Sequence, residues 1–426
     1  MAFLRCHGPL DHELTPISWS NGRASKTEFN KLINVAITNL CSNLKEELHL
    51  VVPPMLLQKR RSSSKSHAFL HINLSLELPR PSTPYSCNAM PSSTETFRLA
   101  TKEEAEAETN PELYQHYESL VTSLPSSNGL SYLPLSRHEH GWYGSQVSVV
   151  GAMVADACFT ARSSEIIVAT PPKAGTTWMK ALLYAIVHRR KHLVDAADHP
   201  FNSLSPHECI KFLELQLYTH NRIPGLDKVP GPRLFATHVP FMSLPRTVMS
   251  SGSKIVYVWR DPKDTLVSMW HFVNKINVYK GQEPVGVETA VDLFCRGLSL
   301  FGPYWDHVLG YRHAHLTHPH QVLLFKYEEM QRDPAAHVRM LAEFVGCSFS
   351  AEEEGHGVVD GIVKLCDFER MSGLEATTGG KFELGPHIAE KSFFFRRGEI
   401  GDWVNHLSPE AARRIDEITE AKFQGL

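Results

Sequence analysis

The sequence has no apolar run long enough to cross a bilayer. Its most apolar stretch, residues 147–159, is short and carries Asp156, whereas a spanning helix needs about 20 apolar residues. No membrane span and no membrane partner are expected. It also has no surplus of either charge. Lys and Arg number 43 against 46 acidic residues, for a formal net charge of -3, so no global field draws polyanions and nucleic acid is not expected as a partner. The eight cysteines, at Cys6, Cys41, Cys87, Cys158, Cys209, Cys295, Cys347 and Cys366, include no CxxC pair and no dense framework of the small secreted kind. Reduced thiols in a cytoplasmic protein are the simpler expectation. No fixed-period repeat is visible, which sets solenoids and propellers aside.

What is present suits an ordinary globular chain. The 426 residues are 42% hydrophobic and 21% charged, enough for one large domain or two average ones. The first ninety residues differ in texture. An amphipathic patch at 29–50 gives way to the basic, Ser-rich run Lys59-Arg60-Arg61-Ser62-Ser63-Ser64-Lys65 and then to Pro-Arg-Pro-Ser-Thr-Pro at 79–84. Such composition predicts poor order. Residues 55–90 have the Arg- and Ser-rich, acid-poor character of a transit peptide, but Asp11, Glu13 and Glu28 do not fit one, so a plastid address is a secondary reading. Met90 is a second candidate start. Residues 1–110 are therefore read as an appendage and 111–426 as the functional domain. There, short apolar runs at Glu165–Thr170, Arg233–Val239, Lys254–Arg260 and Gln321–Lys326 alternate with helical segments, which predicts an α/β fold with a central parallel sheet flanked by helices.

The most informative window is EIIVATPPKAGTTWMKALLYAIVHRR, 165–190. A β-branched run enters a turn with Pro171, Pro172 and Gly175, and apolar residues then recur at Trp178, Ala181, Leu182, Ala185 and Ile186, one face of a helix. A strand feeding a Gly-containing turn into a helix aims backbone N–H groups and the positive helix end at one point, where an anion is stabilised. Thr176 and Thr177 add hydroxyl donors. The usual phosphate loop, GxxxxGK[ST], places Lys after its second Gly. Here Lys173 precedes the Gly, on the strand side, from which it reaches a bridging oxygen of a phosphate ester. A strand–turn–helix joint with no ligand is the competing reading of this window alone.

A second window, KIVYVWRDPKDTLVSMWHF at 254–272, reads as a buried strand ending in Arg260, then a turn and a helix presenting Ser268. The pair can clasp one phosphate from two sides. The plainer alternative is a surface Arg paired with Asp261 or Asp264. A third window, FFFRRGEIGDW at 393–403, sets Arg396 and Arg397 beside Gly398, so guanidinium groups and main chain approach one anion together.

With these windows in view the sequence resembles the cytosolic sulfotransferase family, most closely its plant branch, from about Glu112 to Leu426. The family's loop PKSGTTW is similar to Pro172-Lys173-Ala174-Gly175-Thr176-Thr177-Trp178, with Ala174 in place of Ser. The resemblance implies 3′-phosphoadenosine 5′-phosphosulfate (PAPS) as co-substrate, and no metal is expected. It assigns the 5′-phosphate to the Lys173–Thr177 loop, adenine stacking to Trp178, and the 3′-phosphate to Arg260, Ser268, Arg396, Arg397 and Gly398, although Arg397 stands where the family usually has Lys. It further implies that Tyr327, in LLFKYEEM, bonds on the adenine side and that Phe368, in CDFERM, forms the second stacking face. It implies that Ser268 holds Lys173 aside until the acceptor arrives.

His238, in RLFATHVPF, is the candidate base. A histidine near the end of a parallel strand faces the crevice where open α/β sheets bind ligands, and an ordinary pKa of about 6.5 suits proton removal at neutral pH. The THxP context resembles the family's catalytic segment. Many animal members carry Lys two residues earlier, where this chain has Ala236 as plant relatives do. Trp142, Tyr143, Phe241 and the Phe301-Gly302 segment are expected at a small-molecule acceptor pocket, for a flavonoid, a steroid-like hormone, a hydroxyjasmonate or a desulfoglucosinolate. The groups His138-Glu139-His140 and His313 through His320 have no ligand spacing for a metal. The KxxxTVxxxE dimer segment of animal relatives is replaced here, at 404–413, so that dimer is not expected and a monomer is. Two rivals stand beside the sulfotransferase reading: a small-molecule kinase using ATP, and a catalytically idle nucleotide-binding protein.

Overall fold

The computed structural model of the chain describes residues 107–384 and 387–424. The patch at 29–50, the basic run and the transit-like segment lie outside the described residues. Glu108–Thr109 pair antiparallel with Arg222–Ile223, and the Asn110 side chain caps the following helix by accepting from the Leu113 N–H at 3.0 Å. A strand pairing and a helix cap thus tie down residues 108–110, just ahead of the expected boundary at 111.

A five-stranded parallel sheet organises the fold. Strand β1 (Ile166–Ala169) lies at its centre, with β2 (Lys211–Phe212), β3 (Leu234–Thr237), β4 (Lys254–Trp259) and β5 (Val322–Lys326) in the spatial order β5-β4-β1-β3-β2. Four of the strands fall inside the four apolar runs read from sequence. The fifth, two residues long, is too short to carry a period. Register follows the pleat: Ile166 and Val168 pack on one face with Ala236, Val256 and Val258, while Ile167 and Ala169 pack on the other with Phe235, Ile255 and Tyr257. Every residue of β1 is buried, as a central parallel strand covered on both faces must be.

Helix α1 (Gln146–Cys158) covers one face, with Val149, Val150 and Val154 in the same cluster as Ile167 and Ala169. Helix α2 (Thr176–His188) covers the other, burying Met179, Leu182, Leu183 and Ile186. Helices α3 (Pro206–Cys209), α4 (Pro262–Tyr279), α5 (Tyr304–Thr317), α6 (Phe368–Gly373) and α7 (Pro409–Lys422) complete the parts used below. Asp261 caps α4 by accepting from the N–H groups of Lys263 and Asp264, with Pro262 in the first turn, where its missing N–H is harmless. Strand β1 thus leads directly into α2, and β4 into α4. Both strand ends open on the same side of the sheet, where open α/β folds bind ligands.

Candidate active site

A cavity of about 390 Å³ opens beyond the C-terminal ends of β1, β3 and β4. Its wall holds Lys173, Gly175, Thr176, Thr177, Trp178, His238, Arg260, Ser268, Tyr327, Phe368, Arg396, Arg397 and Gly398. These residues span more than two hundred positions of the chain, and the fold brings them to one place. Ala174 is the exception among the expected site residues. It is fully buried, its N–H donates to the Pro171 carbonyl at 3.3 Å, and its side chain does not reach the wall. The loop turns inward there to present its neighbours.

The loop geometry is that of an anion cradle. Lys173 adopts φ 69° and Gly175 φ 106°, and Gly175 caps α2 without any side-chain bond to the first-turn N–H groups. Left-handed backbone at a residue with a Cβ costs of order 1–3 kcal/mol and persists where its surroundings hold it. Gly175 is required for a second reason. A Cβ there would meet the Tyr327 ring at 2.7 Å, and that ring is fixed by Gln331 Nε2 donating to the Tyr327 hydroxyl at 2.7 Å and by the hydroxyl donating to the Gly398 carbonyl. Gly175→Ala is therefore expected to weaken binding of a phosphate-bearing ligand at this loop at least tenfold, about 1.4 kcal/mol, with the protein still folded. Calorimetric titration beside a thermal melt checks it.

Lys173 Nζ lies 4.3 Å from the centre of the Phe272 ring and 5.7 Å from that of Phe394. Desolvation first, and then Lys275, Arg260 and Arg396, push its pKa down to about 7. A cation held against aromatic faces in a dry, positive pocket gains from an incoming anion. Its partner in this structure is the Phe272 ring, one turn along α4 from Ser268, rather than the Ser268 hydroxyl.

Arg260 is buried. It bonds the Glu399 carbonyl, pairs with Asp264 at 3.3 Å, and has its guanidinium carbon 4.7 Å from the centre of the Tyr327 ring. The plainer alternative of a pairing with Asp264 is thus also met, but inside the cavity wall. Asp264 accepts in addition from the N–H groups of Gly401 at 2.7 Å and Trp403 at 3.1 Å, which fastens the third window to the second. Arg396 and Arg397 both bond the buried Asp402, the latter at 2.9 Å; burial raises the Asp402 pKa, but the bonds from Arg396 and Asn405 outweigh it and hold the carboxyl well below its ordinary range. Asp402 orients both guanidinium groups. Trp178 meets Tyr327 edge to face at 5.6 Å, and Phe368 is partly exposed, 6.0 Å from Phe395. Gly398, at φ 70°, leaves room for the Phe368 ring, which a Cβ would meet at 2.5 Å.

His238 is held from four directions. Its Nδ1 donates to the Thr170 carbonyl at 2.8 Å, which leaves Nε2 as the acceptor. Its backbone N–H donates to Glu214 at 2.8 Å, and Glu214 also accepts from the Thr237 hydroxyl at 3.0 Å. His307 Nε2 donates to the His238 carbonyl at 2.9 Å, while the Tyr257 hydroxyl donates to His307 Nδ1 at 2.8 Å. The ring lies between Phe212, at 4.6 Å, and Phe301, at 5.6 Å. Burial above all, offset in part by the bond to Thr170, takes the His238 pKa down to about 3. The imidazole is neutral across the physiological range, with its lone pair available.

Part of the wall is apolar: Phe212, Leu215, Phe272, Val273, Ile276, Leu300 and Phe301. Of the residues expected there, only Phe301 lines it. Trp142 instead bridges to Gly302, Tyr143 is fully buried against Phe301, and Phe241 packs on Tyr311. Sequence reasoning also missed His207, Glu214 and His307. A lone aromatic or histidine in an apolar stretch carries no signal of which cavity it will face.

A sheet whose strand ends hold a phosphate-type loop, a second cationic cluster and a neutral histidine defines a group-transfer class of α/β protein. The sulfotransferase domain family matches residues 163–426. The chain is 42% identical over 330 residues to cytosolic sulfotransferase 17 of Arabidopsis thaliana, covering 77% of this chain and 93% of that one. It is 41% identical over 309 residues to cytosolic sulfotransferase 16 of the same plant, covering 72% and 90%. A crystal structure of an Arabidopsis thaliana sulphotransferase superposes with a TM-score of 0.57 at 34% identity, covering 74% of this chain and 95% of that one. A mouse sulfotransferase complexed with PAP superposes at 0.53 with 25% identity, covering 68% and 94%. The chain belongs to the sulfotransferase family and is a transferase of sulfonate groups. The cytoplasmic expectation agrees with the names of these relatives. Among the described residues no helix is long and apolar enough to cross a membrane.

Proposed function

We propose that this protein transfers the sulfuryl group of PAPS to a hydroxyl of a small, largely apolar organic acceptor and releases adenosine 3′,5′-bisphosphate (PAP). The loop Lys173–Thr177 takes the 5′-phosphate, Trp178 and Phe368 take the two faces of adenine with Tyr327 at its edge, and Arg260, Ser268, Arg396, Arg397 and Gly398 take the 3′-phosphate. His238 Nε2 accepts the proton of the acceptor hydroxyl as its oxygen bonds to sulfur. The bond from sulfur to the bridging oxygen breaks in line, and Lys173 neutralises the charge left on the 5′-phosphate. In such loose transition states alignment and charge neutralisation supply most of the rate.

One observation carries this reading: a single cavity is lined at once by the Lys173 loop with its anion-cradle geometry, by the neutral His238 and by a run of apolar side chains. The apolar wall favours ring systems such as a flavonoid or a steroid-like hormone, with a hydroxyjasmonate or a desulfoglucosinolate as the more polar alternatives. No metal takes part in these steps. The domain at 111–426, with the strand residues before it, carries the activity as a monomer.

An acceptor panel with labelled PAPS, run in parallel with ATP, tests the proposal. Transfer from PAPS to at least one hydroxylated ring compound is expected. Transfer from ATP alone would establish the kinase instead, and tight PAP binding with no transfer would establish the idle binder. A chain beginning at Met90 is expected to match the full chain in the same assay.

A further inference from the structure

His207 has no role in the steps above, yet it lies in the cavity wall with both ring nitrogens engaged. It sits on α3, and its Nε2 is 2.9 Å from the Thr177 hydroxyl, in the first turn of α2. Its Nδ1 is 3.2 Å from Nζ of Lys180, one turn further along α2. Lys180 is wholly buried, an expensive place for an amine. Its Nζ lies 3.3 Å from the centre of the Phe212 ring, the same ring that packs against His238 and stacks on His207 at 5.7 Å. Phe382 and Phe394 pack against His207 at 5.5 and 4.5 Å, and Gln216 Nε2 donates to its carbonyl at 3.2 Å. The ring therefore cannot turn away from its two partners.

The direction of these bonds decides what Thr177 can do. An ammonium has three donors and no acceptor, whereas a neutral imidazole has one of each. Burial pulls the Lys180 pKa well below its ordinary value, against Glu214, while the Phe212 face beneath Nζ stabilises the protonated form; as an ammonium it donates to Nδ1, so the imidazole carries its proton on Nε2 and donates to the Thr177 oxygen. That oxygen is then occupied as an acceptor, and the only direction left for the threonine's own proton is toward a ligand in the cavity. Were the bonds reversed, Thr177 would donate to His207 and be lost to the ligand.

We propose that Lys180 and His207 are positioning residues that fix the Thr177 hydroxyl as a donor to an anionic oxygen in the cavity. This rests on the nucleotide reading above, with the donor's 5′-phosphate as the oxygen addressed. The relay makes one strong hydrogen-bond donor rigid before the ligand arrives, which strengthens binding by removing the ordering cost.

Calorimetric titration of the full chain with PAP tests it. His207→Leu and Thr177→Val are each expected to raise the Kd about tenfold, the size of one hydrogen bond to a charged group. Because both changes break one device, the double variant is expected to lose no more than about tenfold. His207→Gln, whose amide N–H reaches the same position, is expected to recover affinity to within about threefold of the wild type. Binding by His207→Leu at wild-type strength or tighter overturns the proposal, since that is what the reversed bonds give. A double variant weakened about a hundredfold overturns it too, because the two residues would then act separately. If His207→Leu shows no cooperative melt, Lys180→Met replaces it, with about threefold weakening expected and wild-type affinity overturning the relay. A wild-type chain that does not bind PAP sinks the nucleotide reading and the relay together, whereas binding with no response to His207→Leu sinks the relay alone.

Discussion

His238→Ala is expected to lower kcat by about 10²–10⁴, the usual worth of a positioned general base, while the Kd for PAP stays within about twofold. The two readouts separate because His238 sits between Phe212 and Phe301, in the apolar wall proposed for the acceptor. The side proposed for the 3′-phosphate, with Arg260, Arg396 and Arg397, is built from other elements and pinned by Asp264 and Asp402. The bond from Nδ1 to the Thr170 carbonyl fixes the tautomer, so the lost group is a single defined acceptor and not a freely turning ring. With its pKa near 3 the imidazole stays unprotonated down to mildly acidic pH. No acid limb from this residue is expected between pH 5 and 8, and one centred at 6 would count against it as the base. Near-normal turnover by His238→Ala would remove it from the mechanism.

Lys173→Met is the second large effect. Removing one charge-stabilising donor from a leaving oxygen costs about 10²–10³ in kcat, and here the KM for PAPS should rise as well because the same amine meets the ground-state phosphate. The pH dependence has a definite sign. Burial and neighbouring cations place the Lys173 pKa near 7 in the free protein, so the ammonium is complete below that pH and is lost as pH rises through it. The kcat/KM for PAPS, which reports the free enzyme, is expected to fall about tenfold per pH unit above 7. Lys173→Arg keeps a permanent cation and should remove that limb, whatever it does to the maximum. A profile that stays flat to pH 9 in the wild type would show that Lys173 is not the group that matters.

Much of the site was legible because its parts are chain-local. PKAGTTW carries within seven residues the turn, the hydroxyls and the helix start of an anion cradle, and the structure sets Lys173, Gly175, Thr176, Thr177 and Trp178 along one wall. Arg260 and Ser268 were legible for the same reason, through a strand end and the next helix. Ala174 was not. Belonging to a motif says nothing about which side chains turn inward, and the φ of 106° at Gly175 and of 69° at Lys173 set that. The apolar wall of the cavity was less legible, and of the residues expected at an acceptor pocket only Phe301 lines it. Phe212, Leu215, Val273 and Leu300 reach it from separate elements and carry no chemistry that marks them, while Trp142, Tyr143 and Phe241 are taken up by core packing.

By itself the sequence determined the parallel α/β architecture and the positions of four sheet strands, because buried strands and the helices that cover them are written in local hydrophobic period. It also determined the three cationic windows, because a strand end, a turn and a helix start lie next to one another in the chain. Only tertiary structure decided that Asp402 aims two arginines and that Glu214 and His307 hold the His238 main chain. It alone decided that Lys180, His207 and Thr177 form one line. Those contacts join residues from separate elements whose side chains, taken alone, look like ordinary core or surface, and only closing the sheet and packing its helices brings them within hydrogen-bond reach.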